Sequence, residues 1–311
     1  MNIFFSYIRD YIKNTQGPIW YFCLAYVALI IFLNYRFGIE SKFLSTIPDR
    51  TLRFGGYYLL YLAAFSIPYL VLILLKTKSV SDWPLLLLLI VVAPAIFALK
   101  VCFGGLTQLI QQNINGIWGR YIAIISNLPS RLVLVILPLL AVWWLGKYDR
   151  PIFGITNNNF YWKPYLIMLL VMLPVICWAS TQHDFLQTYP KLRQVYFIST
   201  HTNNSWLYKL LFEISYGIDF ITIELFFRGF LVLAFVRFAG QDAILPMAVF
   251  YCSIHFGKPL AECISSFFGG LFLGIIVYRT GSITGGLIVH LGIAWMMEAG
   301  GYVGNLLKST R

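Results

Sequence analysis

Charge is what this chain has least of. Of its 311 residues, 23 are Lys or Arg and 12 are Asp or Glu, together 11%. An ordinary soluble domain carries about 25%. A soluble protein of this length still has a large wet surface to cover. The deficit therefore excludes a soluble enzyme, a disordered chain and a nucleic-acid-binding domain. Cysteine is sparse as well. Cys23, Cys102, Cys177, Cys252 and Cys263 are odd in number and form no CxxC pair. That spacing implies neither a zinc knuckle nor a disulfide framework and leaves them as small buried hydrophobes. The HExxH metalloprotease signature and the GxSxG nucleophile elbow are both absent. No small-residue cleavage site follows the first 17 residues, which read as a short amphipathic interfacial helix carrying Arg9 and Lys13.

What is present is apolar. Hydrophobic residues make up 59% of the chain, and the mean hydropathy is +0.75. About 20 apolar residues span a bilayer as a helix, so the composition predicts an all-α polytopic transmembrane bundle of roughly eight or nine spans. Basic residues sit singly at the ends of apolar runs: Arg36, Lys76, Lys78, Lys100, Arg131, Lys147, Lys163, Arg279 and Lys308. Such residues anchor helix ends to anionic lipid, which makes membrane lipid the expected partner and accounts for the net charge of +11 without nucleic acid.

The runs predict spans at Pro18–Tyr35, Phe54–Leu75, Trp83–Leu99, Leu132–Leu145 and Pro164–Ala179. Residues 101–130, with Gln108, Gln111, Gln112, Asn113 and Asn115, predict an interfacial or re-entrant helix. Ser180 to Ser205 is a polar connection in which His183 and His201 read as solvated. Residues 206–238 form a helical run of about 33 residues, too long for one untilted span. Ala243–Phe256, Leu260–Tyr278 and Ile283 to about Tyr302 follow. The division by content is 1–205, N-terminal membrane helices with connecting loops, and 206–311, a motif-bearing membrane core.

The last third concentrates the charge. Glu213, Asp219, Glu224, Asp242, Glu262 and Glu298, half of the acidic residues, lie between positions 206 and 300 with His255 and His290. An ionisable group near the centre of a membrane helix costs roughly 2.5 to 3.5 kcal/mol, so such groups need a purpose. Glu224 and Arg228 are four apart, on one face of an α-helix and able to pair; a buried structural ion pair is the plain alternative. Hydrolysis inside a membrane needs a water, a base and a group for the oxyanion. A carboxylate and two imidazoles can supply these, directly or around a bound divalent metal. Glycines at 269, 270, 274, 285, 286 and 292 would let the helices that carry these groups approach closely.

Three motifs in this stretch resemble one family. Ile223-Glu224-Leu225-Phe226-Phe227-Arg228-Gly229 resembles the ExxxRG motif of the CPBP family, the CAAX protease and bacteriocin-processing intramembrane proteases. Tyr251-Cys252-Ser253-Ile254-His255 is similar to its second motif, with Tyr for the usual Phe. Gly285-Gly286-Leu287-Ile288-Val289-His290 matches the third. The resemblance implies a helical core whose polar cluster hydrolyses a peptide bond of a membrane-associated or lipidated substrate. It implies that Glu224 and His255 help to activate water, that His290 completes the site and that Arg228 holds Glu224. It implies a divalent metal, zinc for example, on Glu224, His255 and His290.

The chain departs from the family pattern at Ile223, where a glutamate is usual, and at Ala294, where Asn or Asp is usual. Glu262 is the expected substitute carboxylate, unless Lys258 pairs it. Asp219, five residues before Glu224, points away on an ideal helix. The two apolar replacements keep a second reading open, a catalytically inactive relative acting as a scaffold or an immunity-type membrane protein. A transporter using the charges as a relay is third, and no inverted repeat supports it. The expected location is a bacterial cytoplasmic membrane.

Overall fold

The computed structural model describes residues 2–75, 83–148, 151–156 and 160–309, and among these every regular element is a helix. The basic anchors Lys76 and Lys78 lie outside the described residues. In chain order the α-helices are α1 (Asn2–Asn14), α2 (Gly17–Phe37), α3 (Arg50–Leu74), α4 (Trp83–Cys102), α5 (Gly105–Asn113), α6 (Gly116–Leu145), α7 (Lys163–Ala179), α8 (His183–Thr188), α9 (Ser205–Glu224), α10 (Val236–Ala239), α11 (Ile244–Ser253), α12 (Leu260–Thr280) and α13 (Thr284–Ser309).

Local chemistry sets the ends. Pro18 opens α2, where its missing N–H costs nothing. Gly38 closes the same helix at φ +66°, a left-handed cap with its N–H on the Asn34 carbonyl. Asp49 starts α3 by accepting the Leu52 N–H at 2.8 Å.

Among the described residues, six helical stretches are long and apolar enough to cross a membrane: Gly17–Phe37, Arg50–Leu74, Trp83–Asn113 (α4 with α5), Gly116–Leu145, Leu260–Thr280 and Thr284–Lys308. The expected all-α bundle is present, and apolar residues also build shorter elements beside these stretches. All ten residues of α11 are buried, as are all ten of the π-helical segment Leu225–Ala234. α7 has only 17 residues. Two expectations shift. The span placed at Leu132–Leu145 is the second half of a 30-residue helix that starts at Gly116. The single run at 206–238 is α-helical only to Glu224, then π-helical to Ala234. A π turn sets residues five apart on one hydrogen-bond register instead of four.

Packing divides the chain into two units that interleave along the sequence: Met1–Cys102, Pro138–Asn158 and Leu225–Thr284 in the first, Phe103–Leu137, Asn159–Glu224 and Gly285–Arg311 in the second. In the first unit α11 is the central element. Its Phe250 ring lies 5.2 to 5.9 Å from those of Tyr61, Phe65, Phe97, Phe226 and Phe227. Offset and edge contacts of this kind add about 0.5 to 1.5 kcal/mol per pair beyond area burial. The Gly270 and Gly274 pair of α12 faces this helix, as the GxxxG spacing suggested. A Cβ on Gly270 would lie 2.7 Å from the Tyr251 ring, and one on Gly274 equally close to Met247.

In the second unit the polar connection after α7 is ordered. The α8 helix and the 3₁₀ helix Lys191–Thr200 occupy it. Glu298 of α13 caps the latter, accepting the N–H groups of Lys191 at 2.7 Å and Leu192 at 3.0 Å. Arg193 donates to the carbonyls of Leu186, Gln187 and Tyr189. Glycines of α13 meet α7 and its sequel: Gly285 at Tyr165, Gly292 at Leu169, and Gly300 and Gly304 at Ser180. His183 and His201 are exposed, as expected of solvated residues.

Gly229, the glycine of the first motif, is a close-approach residue. A Cβ there would lie 2.7 Å from Cβ of Phe153 and 2.8 Å from its carbonyl oxygen. Backbone cannot yield as a side chain can, so Gly229→Ala is expected to destabilise the fold by about 1 to 3 kcal/mol. Thermal unfolding in detergent micelles, compared with Gly269→Ala, which has open space, checks this.

Candidate functional site

Glu224 is the last residue of α9, and its side chain has no solvent exposure. A carboxylate in that position needs a donor. It finds one in His290, in the second turn of α13, whose Nδ1 lies 2.9 Å from Oε1 of Glu224. The imidazole is 14% exposed. Its ring stands edge-on against Phe220, one turn before Glu224, with centroids 4.8 Å apart. Gly217, a turn further back, lets α9 and α13 close together, since a Cβ there would already touch Leu291 and Trp295 at 3.3 and 3.4 Å. Both members of the pair belong to the second unit.

The pair has a defined polarity. A neutral imidazole that donates Nδ1–H to a carboxylate carries its lone pair on Nε2. The carboxylate fixes the ring and stabilises the imidazolium that forms when Nε2 takes a proton, the logic of a carboxylate–histidine dyad. Burial keeps Glu224 from meeting water directly, so the partly exposed His290 is the member able to do so.

The other motif residues lie in the first unit. Arg228, on the π-helical segment, is fully buried, and its guanidinium carbon sits 4.1 Å from the centroid of the Tyr251 ring. A desolvated cation over an aromatic face gains about 2 kcal/mol or more. The tyrosine that replaces phenylalanine in the second motif thus carries the motif arginine. The same ring packs edge-on against His255 at 4.8 Å. His255 Nδ1 bonds the Tyr251 carbonyl at 2.9 Å, which again directs the lone pair to Nε2. Phe220 and Tyr251 are the orienting residues; the sequence names Tyr251 only as part of a motif and does not single out Phe220. The usable signal was an aromatic residue one helical turn before each of Glu224 and His255.

Glu262 is paired. Lys258 Nζ lies 3.3 Å from its Oε1, so the carboxylate expected to replace the missing motif glutamate has a lysine instead. It also stands in the first turn of α12, where the helix dipole favours a negative charge. Ile223 and Ala294 are apolar and buried, at 8% and 4% exposure. Among the described residues no three His, Cys, Asp or Glu side chains are arranged to hold a metal ion. Glu224 and His290 supply two donor groups between them.

The second unit also contains a cavity of about 930 Å³, lined by Tyr196, Lys209, Glu213, Trp295, Glu298 and Tyr302 among others. Glu224 and His290 are not in its wall. Glu213 precedes Glu224 by eleven residues of α9, roughly 16 Å along the helix axis.

Six apolar helical stretches among the described residues are long enough to cross a membrane, and a buried carboxylate–imidazole pair lies in the motif-bearing part of the chain. Residues 205–296, which contain all three motifs, match the family model of the type II CAAX prenyl endopeptidase Rce1-like proteins, and this match supports membership of the CPBP family. The family and the apolar helices together point to an integral membrane protein of the CAAX-protease type. Neither curated proteins nor solved structures yield a match.

The strength of the pair is measurable. In a double-mutant cycle of Glu224→Leu and His290→Leu, unfolding in detergent should show a coupling of about 1.5 to 3 kcal/mol, the range for a hydrogen bond to a charged group.

Proposed function

We propose that this protein is an intramembrane endopeptidase that cleaves a peptide bond of a membrane-associated or lipidated substrate. The carrying observation is the Glu224–His290 hydrogen bond, made between two motif residues inside the family-matched stretch. His290 Nε2 takes a proton from water while the water oxygen attacks the carbonyl carbon of the scissile bond. The carbonyl π electrons move to oxygen. Glu224 holds the resulting imidazolium. When the tetrahedral species collapses, the C–N bond breaks, and the proton held by His290 goes to the leaving nitrogen. The products are a carboxylic acid and an amine, which balances one water consumed.

His255 and Arg228 belong to the proposed set by their match to the family motifs, Arg228 as a support for the carboxylate end of the first motif and His255 as the second imidazole. The divalent cation implied by the same resemblance is a variable of the assay, read from a chelator and from zinc added back. The proposed location is a bacterial cytoplasmic membrane, with lipid and the substrate peptide as partners.

The buried apolar Ile223 and Ala294 favour a second reading, an inactive relative serving as a scaffold or immunity-type protein. One experiment separates the two. The full chain is reconstituted in lipid with a library of prenylated and membrane-anchored peptides, and products are identified by mass spectrometry. Cleavage is expected, lowered at least 100-fold by His290→Ala and by His255→Ala and strongly reduced by Glu224→Gln, since general acid–base groups contribute about 10² to 10⁴. Cleavage that is absent throughout the library, or insensitive to all three variants, refutes the protease assignment.

A further inference from the structure

The turn that follows His255 is held from the other end of the chain. His255 ends the second motif, and residues 256–258 lead to Pro259 and α12. Asn34, near the end of α2, is 3% exposed, and both ends of its amide are used. Nδ2 donates to the Phe256 carbonyl at 3.0 Å, and Oδ1 accepts the Glu40 N–H at 3.0 Å. The next residue, Tyr35, donates its hydroxyl to the Lys258 carbonyl at 2.6 Å. Between these two carbonyls lies Gly257, and the Glu40 carboxylate fills its side: a Cβ on Gly257 would lie 2.6 Å from Oε2. Tyr57 holds that carboxylate in place with a 2.8 Å hydrogen bond.

The turn has few bonds of its own. Phe256 N–H reaches the Ser253 carbonyl at 3.4 Å, and Lys258 N–H reaches the His255 carbonyl at 3.0 Å. Two side chains from α2 therefore supply fastening that the turn itself lacks, and they do so at consecutive positions, which makes one helix end the template for the turn. The cap glycine, Gly38, is what brings Glu40 back to Asn34: the left-handed residue reverses the chain so that the Glu40 amide meets the Asn34 side chain. A buried asparagine in an otherwise apolar helix is retained at a cost unless its amide is satisfied, and here the satisfaction is spent on a loop more than two hundred residues away.

We propose that Asn34, Tyr35 and Glu40 are positioning residues for His255, so that the end of α2, outside the family-matched residues 205–296, is a working part of the site. They act through the turn and touch no reacting atom. The assignment rests on the reading of His255 as a functional residue, and two measurements keep the two claims apart.

The first is hydrogen–deuterium exchange of the full chain in lipid nanodiscs. Asn34→Ala should speed exchange of the amides of residues 254–258 at least tenfold, and Tyr35→Phe should speed it less. Asn34→Asp keeps the acceptor for the Glu40 amide but cannot donate to Phe256. It should loosen the turn while leaving the Glu40 amide protected, a split that general destabilisation would not produce. Wild-type exchange at 254–258 in both Asn34 variants, or a uniform rise across the whole unit, overturns the proposal. The second is a cleavage cycle. Asn34→Ala should lower kcat about tenfold with KM unchanged, and should have no further effect in the His255→Ala background. Equal losses in both backgrounds would make Asn34 merely structural and overturn the positioning role. If the chain cleaves nothing while the exchange split is seen, the fastening of the turn stands, and both the peptidase reading and the catalytic purpose of the fastening fall.

Discussion

A carboxylate withdrawn from water must be answered by a proton donor, and the answer given to Glu224 is the Nδ1–H of His290. Much of the second unit can be understood from that requirement. The bond joins the end of α9 to the second turn of α13, so the two helices must come close, and glycine at 217 permits it. The imidazole must present one fixed nitrogen, and the Phe220 ring at its side limits its rotation. Glu298, further along α13, meets the same demand in a different way, by taking two backbone N–H groups of a 3₁₀ helix. The two carboxylates, one at the end of α9 and one on α13, thus have opposite characters. One is spent on architecture, and the other is joined to a group that can carry a proton.

The first unit obeys the same constraint with cations. Arg228 is fully buried and rests on the Tyr251 ring. Tyr251 also gives its carbonyl to His255, so one residue orients two motif side chains, with its ring for one and its backbone for the other. This explains why a tyrosine is tolerated in a position that the family usually gives to phenylalanine: the ring is what the arginine needs. Rings from five other positions surround Phe250 of α11.

Sequence reasoning reached the helical class and the family resemblance, because these follow from composition and from spacing within short segments. The Glu224–His290 pair could not be read in that way. Its members are 66 positions apart, and periodicity says nothing about which helices meet. Apolar length alone does not number the membrane crossings, since α11 and the π-helical segment use it for burial inside the protein. The π segment was also beyond an ideal-helix argument. Placing Arg228 four residues after Glu224 on one face assumes 3.6 residues per turn, and that spacing ends at Leu225. The fastening of the His255 turn by Asn34 and Tyr35 was invisible for the same reason as the pair, since its partners are 222 and 223 residues apart.

The two apolar departures from the family pattern now have a structural setting. A buried polar position that loses its side chain is harmful when it leaves a partner unsatisfied, and much less so when the site is complete without it. Ile223 and Ala294 are buried on the same two helices as Glu224 and His290, one residue before the former and four after the latter. The carboxylate–imidazole bond is formed with these residues in place. The replacements therefore remove polar groups from the surroundings of the pair without breaking the pair itself. A dyad that has its orienting carboxylate can still accept a proton at its imidazole. Under the proposed peptidase reading, Ile223 and Ala294 reduce the number of polar groups beside the pair and leave its capacity to take a proton intact.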